Sequence, residues 1–173
     1  MQLTIRDFEA ADFDTLWRID QSCFSPGISY TPFELKTYMR RPGAFTLVAE
    51  ADPTKGASGS GDELLRAEDE LGVVGFLVAE RSRRGTGHII TIDVCREARR
   101  HRVGSRLLAA VEERLRSSAC AAIQLETAVD NAAALCFYKR HGYTVIKTVP
   151  RYYSNGVDAL VFEKKLLSPV SSR

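Results

Sequence analysis

The sequence predicts a mixed α/β domain: a central, mostly antiparallel sheet of about seven strands with helices on both faces. Three observations carry that expectation. Segments of period-two apolar alternation are interleaved with segments whose apolar residues recur every three to four positions. Strands separated only by turns read as antiparallel neighbours, whereas the strand–helix–strand unit over residues 88–127 reads as a parallel crossover. The length, 173 residues, suits one domain with a substantial core, and no internal repeat or second domain is visible, so 1–173 is taken as a single unit.

The elements follow in order. Residues 3–8 alternate as a short strand, and 11–23 read as a helix with Phe13, Leu16, Trp17 and Ile19 on or near one face. Ser25-Pro26-Gly27 breaks it. Pro32 opens a second helix through Phe33, Leu35 and Tyr38, until Arg41-Pro42-Gly43 stops it. Residues 45–50 form a strand. The stretch 51–70, with KGASGSGDE inside it, reads as a flexible surface insertion. Residues 71–81 form a strand, Gly85-Thr86-Gly87 a turn, and 88–95 another strand. A helix starts at Val103, where Val103, Leu107, Leu108, Val111 and Leu115 make one apolar stripe. Residues 121–127 are a strand and 131–141 a short helix closed by Gly142. Strands at 144–150 and 158–165 complete the order β-α-α-β-β-β-α-β-α-β-β, with a short tail from about 168.

Composition narrows the function classes. Hydrophobic content is 45% and charged content 27%, so the chain is read as globular rather than disordered. A net charge of +2 is too balanced for a general nucleic-acid binder. No apolar run reaches the ~20 residues of a membrane span, and the opening MQLTIRDFEAADF carries acids where a signal peptide needs an apolar stretch. A cytoplasmic protein with neither nucleic-acid nor membrane partners is expected. Cys23, Cys95, Cys120 and Cys136 are far apart and no pair has C-x-x-C spacing. Reduced, mostly buried thiols are expected, with no metal site.

One stretch breaks a local rule. The helix at Val103 is preceded by Arg99, Arg100, His101 and Arg102, although a helix N-terminus carries partial positive charge and favours acids. The free N–H groups of a first helical turn attract anions, Gly104 allows close backbone approach, and arginines add bidentate donors. A bound polyanion would relieve the repulsion. Neither G-x-G-x-x-G nor G-x-x-x-x-G-K is present, so a Rossmann or P-loop phosphate site does not fit.

Arg99-Arg100-His101-Arg102-Val103-Gly104 resembles the pyrophosphate loop Q/R-x-x-G-x-G/A of the GCN5-related N-acetyltransferases (GNAT), with Arg102 in place of the motif's first glycine. Ile92-Asp93-Val94 resembles that family's preceding strand. ETAVDNAAALCFYKRHGY, residues 126–143, resembles its second motif through Asn131, Phe137-Tyr138 and Gly142-Tyr143. RYYSNGVDALVFEKKL, residues 151–166, is similar to the tyrosine-pair hairpin of the protein N-terminal acetyltransferases. The bacterial ribosomal-protein-alanine type is the most similar around Glu126 and Tyr138.

The resemblance implies acetyl-CoA as cofactor, coenzyme A as product, no metal, and direct transfer to a primary amine in a ternary complex. The implied acceptor is the N-terminal α-amine of a protein or peptide, a ribosomal protein among the candidates. Pyrophosphate contacts fall to Arg99, Arg100, His101, Arg102, Val103, Gly104 and Ser105. Ile92, Asp93 and Val94 are implied to hold the pantetheine arm, and Asn131 to touch the cofactor. Phe24, Tyr30, Tyr152 and Tyr153 would wall the acceptor cleft.

Acetyl transfer from a thioester to an amine needs a proton acceptor for the amine, a donor for the acyl oxygen and a proton for the thiolate. By resemblance Glu126 is the general base and Tyr138 the general acid. A carboxylate among apolar strand neighbours is a group that gains proton affinity, and a phenol can protonate a thiolate. His88 is the alternative base, although after Gly-Thr-Gly it reads first as a surface histidine. Asp93 either faces the cleft or pairs with an arginine. Two other readings remain: a small-molecule amine acetyltransferase acting on a polyamine or an antibiotic, and a non-catalytic acyl-CoA-binding module.

Overall fold

The computed structural model describes residues 2–24, 28–52 and 72–166. Along them run β1 (Gln2–Asp7), α1 (Phe13–Cys23), α2 (Pro32–Met39), β2 (Ala44–Asp52), β3 (Val73–Arg81), β4 (Thr86–Val94), α3 (Val103–Ser117), β5 (Ala122–Ala128), α4 (Ala132–Arg140), β6 (Thr144–Val149) and β7 (Ala159–Lys165). The strands form one seven-stranded sheet in the order β1-β2-β3-β4-β5-β7-β6. Every pair is antiparallel except β4–β5, the pair spanned by α3. This is the predicted mixed, mostly antiparallel architecture.

The two faces of the sheet explain the period-two pattern. Leu47, Ala49, Leu77 and Ala79 turn to one side and pack with Val103, Leu107, Leu108, Val111 and Leu115 of α3. Val48, Phe76 and Val78, the intervening residues, turn to the other and pack with Leu16 and Ile19 of α1 and Leu35 of α2. Burying one such side chain contributes roughly 1.5–3 kcal/mol, so both helical layers are held by the sheet. Thr31 caps α2: its hydroxyl accepts from Glu34 N–H and the Glu34 carboxylate accepts from Thr31 N–H. Gly142, at φ +83°, closes α4, and Tyr143 N–H donates back to Tyr138 O.

Some expectations shift. The first predicted helix begins as a 3-10 turn, Ala10–Asp12, before α1. Thr86 and Gly87 already belong to β4, leaving Gly85 as the turn residue with φ +75°. Ala51 and Asp52 finish β2 rather than opening an insertion; Asp52 pairs with Gln2. The rest of the 51–70 stretch, Leu71, the Ser25-Pro26-Gly27 break and the tail from 168 lie outside the described residues. Cys120 is buried and Cys23 and Cys95 half-buried, but Cys136 is exposed, because it lies on the outer side of α4.

The feature that positions the site is a parting of two strands. β4 and β5 pair only from Thr86↔Ala122 to Ile89↔Leu125. At the same level β4 carries a bulge: Val78 pairs with Thr91 and Ala79 with Ile89, so Ile90 is unmatched. A bulge bends and twists its strand. Beyond it β4 follows β3, β5 follows β7, and a gap opens between them.

Candidate active site

Two side chains meet where the strands begin to part. His88, on β4, and Glu126, on β5, project to the side of the sheet covered by α1 and α2, and His88 Nε2 lies 2.6 Å from Glu126 Oε2. Tyr30, Tyr38, Arg41, Ile90, Tyr152 and Tyr153 complete the lining of this cleft. His88 is only 31% exposed at its side chain, which overturns its reading as a surface histidine: the last paired rungs of β4 and β5 carry it inward. Burial lowers its proton affinity, but the hydrogen bond and charge of Glu126, with the charge of Glu80, outweigh that, so His88 holds its proton above the ordinary histidine range.

The walls are fixed by the surrounding elements. Three α1 side chains hold the Tyr30 backbone: Asp20 accepts from its N–H at 2.9 Å, while Trp17 Nε1 and Gln21 Nε2 donate to its carbonyl at 3.2 and 2.8 Å. The Tyr30 ring then packs, tilted, against Tyr38 of α2 with centroids 5.0 Å apart. Tyr152 and Tyr153 sit in the turn between β6 and β7, their rings 5.0 Å apart and edge to face. Burial pushes the Tyr30 and Tyr153 phenols well above their usual range, so both stay neutral donors. Phe24 is not among the lining residues: its N–H donates to Asp20 O, ending α1 short of the cleft.

The other end of the gap is made of backbone. Cys95 N–H donates to Val74 O in β3. Strand alternation therefore turns the Ile92 and Val94 peptide groups the opposite way, into the gap. The Val94 carbonyl already accepts from Arg99 Nε at 3.1 Å and from the Cys23 thiol at 3.4 Å, and among the described residues no acceptor is found for its N–H. In the following loop Arg100 (φ +66°) and Arg102 (φ +62°) are both left-handed. Arg102 is the N-cap of α3 and makes no side-chain cap. Arg106 N–H closes the first turn on Arg102 O at 3.0 Å, and the N–H groups that open the helix before it have no acceptor one turn back. Alternating left-handed residues ahead of a helix form an anion-binding concavity, so the loop keeps the glycine conformation without the glycine. The Ser105 hydroxyl meets His141 Nε2 at 3.0 Å, tying the loop to the end of α4. His101 Nδ1 turns to Arg99 O at 3.0 Å, and Gly104 lies under the Phe137 ring.

Three implied residues have particular surroundings. Tyr138 is 6% exposed and packs against Phe137, Tyr143 and Phe162. Burial, then the neighbouring Asp93 and Tyr153, raise its phenol well above the usual range. No hydrogen bond to its hydroxyl is found among the described residues. Asn131 caps α4 by accepting from Ala134 N–H at 3.1 Å. Asp93 departs from both sequence expectations: it is not in the cleft lining, and among the described residues no arginine is within ion-pair distance, although the Arg99 charge acts on it. It is 1% exposed, accepts from Thr91 at 3.1 Å and has one oxygen without a partner. Burial, with the charge of Asp20 nearby, raises its carboxyl well above the ordinary carboxylate range.

Sequence reasoning missed Tyr38, Arg41, Ile90 and Glu80. The first two look like the body and stop of a helix, and nothing in a single sequence marks a bulge residue. Glu80 signals itself only through pairing, opposite His88 in the β3–β4 register.

The profile of the acetyltransferase (GNAT) family matches residues 13–143. An uncharacterized N-acetyltransferase of Methanocaldococcus jannaschii is 32% identical over 164 residues, 94% of this chain and 92% of that protein. N-alpha-acetyltransferase 30 of Schizosaccharomyces pombe is 38% identical over 79 residues, 44% of this chain and 53% of that one. Among solved structures, Ard1 from Thermoplasma volcanium superposes with a TM-score of 0.77 at 27% identity, covering 96% of this chain and 99% of that chain. The ribosomal-protein-S18-alanine N-acetyltransferase of Escherichia coli gives 0.75 at 16% identity, covering 99% of each, and shares the fold.

Proposed function

This chain belongs to the acetyltransferase (GNAT) family and is an N-acetyltransferase, and on that premise we propose that it transfers the acetyl group of acetyl-CoA to the N-terminal α-amine of a protein or peptide. The observation that carries this reading is the His88–Glu126 pair, set among four tyrosines at the parting of β4 and β5. Bound acetyl-CoA would supply an activated thioester. The N–H groups of residues 100–105 and the guanidinium groups of Arg99, Arg100 and Arg102 would hold its pyrophosphate. Ile92 and Val94 would pair with the extended arm, the Val94 N–H polarising the acetyl carbonyl.

The His88–Glu126 pair acts as the base. It takes one proton from the acceptor ammonium, and the freed amine attacks the thioester directly. Glu126 is the member we assign to the acceptor. Tyr138 would give its proton to the departing thiolate and recover one from the acceptor nitrogen, which sheds its second proton as the amide forms. An α-amine, at ~7.7–8.0, loses its proton far more readily than a lysine at ~10.4, so one carboxylate–imidazole pair suffices. The cleft also argues against a polyamine: its lining holds a single carboxylate, Glu126, and a cation, Arg41.

Incubation with acetyl-CoA and a library of peptides bearing free N-termini and lysines, read by mass spectrometry, tests the proposal. Acetylated α-amines are the expected product. Acetylation confined to lysine side chains would sink the N-terminal reading while leaving the acetyltransferase intact, and turnover of spermidine alone would favour a small-molecule acceptor.

A further inference from the structure

The base pair has a neighbour that neither the family match nor the named relatives assign. Glu80, on β3, stands directly opposite His88 on β4. Its Oε1 lies 3.6 Å from His88 Nδ1, on the far side of the ring from Glu126 at Nε2. The imidazole is therefore held between two carboxylates from two neighbouring strands. Glu80 is in turn 3.7 Å from Arg41 Nη1, and the Arg41 guanidinium stacks at 4.2 Å over Tyr38 in the cleft wall.

We infer that Glu80 is a positioning residue of the acceptor site, which orients the His88 ring from the side away from Glu126 and sets the pH range over which the His88–Glu126 pair works as a base. The inference rests on the proposed role of that pair. A separation of 3.6 Å is an ion-pair contact rather than a hydrogen bond, so Glu80 acts mainly through its charge. Two carboxylates favour the imidazolium, and the pair becomes a base only when that proton leaves. Glu80 thus holds the pair in its acid form to a higher pH than Glu126 alone would.

The groups facing His88 are few. Glu126 comes from β5, Glu80 from β3 with Arg41 behind it, Tyr30 and Tyr38 from the α1–α2 side, and Tyr152 and Tyr153 from the β6–β7 turn. The phenols of Tyr30, Tyr152 and Tyr153 are all raised by burial. Glu80 and Glu126 are thus the anions positioned to move His88.

The chain has three histidines, so ring-¹⁵N NMR can follow His88 directly, its signal assigned by its loss in His88→Gln. Removing one adjacent charge should lower the His88 midpoint by about one unit in Glu80→Gln, and Glu80→Asp, which keeps the charge, should move it less than half as far. The rising limb of kcat against pH, measured with saturating acetyl-CoA and a free-N-terminus peptide, should shift downward by the same amount. An unmoved His88 midpoint in Glu80→Gln would overturn the inference, and so would a moved midpoint with an unmoved kcat limb. Full activity in Glu126→Gln would instead overturn the base-pair reading, and with it the role of Glu80. That failure is read in a different variant.

Discussion

The two ends of the gap between β4 and β5 are built from different materials. The loop end is conformational: two arginines in left-handed backbone, a helix start without a side-chain cap, and N–H groups pointed outward. The cleft end is chemical: a histidine and a glutamate in contact, four tyrosines and a paired arginine. A ligand held by peptide groups needs the chain to keep a shape, and strain at Arg100 and Arg102 is the cost of that shape. A ligand that must lose a proton needs particular side chains, which ordinary strand geometry can present without strain. Substitutions at the two ends should therefore fail in different ways.

The largest effect is expected at the cleft. Glu126→Gln removes the proton acceptor but no phosphate contact, and should lower kcat by ~10²–10⁴-fold, measured in steady state with a peptide acceptor. Next comes charge reversal at the loop, Arg99→Glu with Arg102→Glu. It should weaken acetyl-CoA binding by roughly ten- to a hundredfold, the worth of one or two charge-assisted hydrogen bonds, and more at low salt than at high. Titrations at two ionic strengths check both statements.

Asp20 tests how the cleft wall is held. Burial lifts its carboxyl to about 6, above its unfolded value. The folded state thus binds the proton more tightly, and the stability this adds at low pH is lost as pH rises from about 4 to about 6. Asp20→Asn keeps an acceptor for Tyr30 N–H and removes the charge. Well above pH 6 it should be more stable than the parent by about 3 kcal/mol, and urea titrations at pH 4 and pH 7.5 should show the difference chiefly at the higher pH. The smallest effect sharpens the loop. Arg102→Gly relieves left-handed strain of about 1–2 kcal/mol and gives back about 0.5–1 kcal/mol in unfolded-chain entropy. A rise in Tm of a few degrees is expected, with acetyl-CoA affinity reduced by the lost guanidinium.

The same contrast governs what could be read from the sequence. The arginine cluster was legible because like charge at a helix start contradicts a local rule, and the order of strands and helices followed from periodicity. The left-handed conformations were visible only as a missing glycine at Arg102. The meeting of His88 with Glu126 was hidden, because the register of a parallel pair joined through a helix is set by packing across the sheet. His88 and Glu126 are 38 residues apart, and each alone has an ordinary surface reading. Glu80 was hidden for the same reason, and the bulge at Ile90 inserts one residue without any turn signal. Local geometry is written locally, whereas the constellation that does chemistry depends on three strands coming into register.

The central claim is that cofactor holding and proton removal are separate tasks carried at separate ends of one gap. Calorimetric titration of Glu126→Gln with acetyl-CoA tests it most directly, on protein whose loss of kcat has been measured in the same preparation. The account predicts a dissociation constant within about twofold of the parent, since the removed charge touches no phosphate donor and a twofold change is under 0.5 kcal/mol. A dissociation constant weakened in step with the loss of kcat would contradict it.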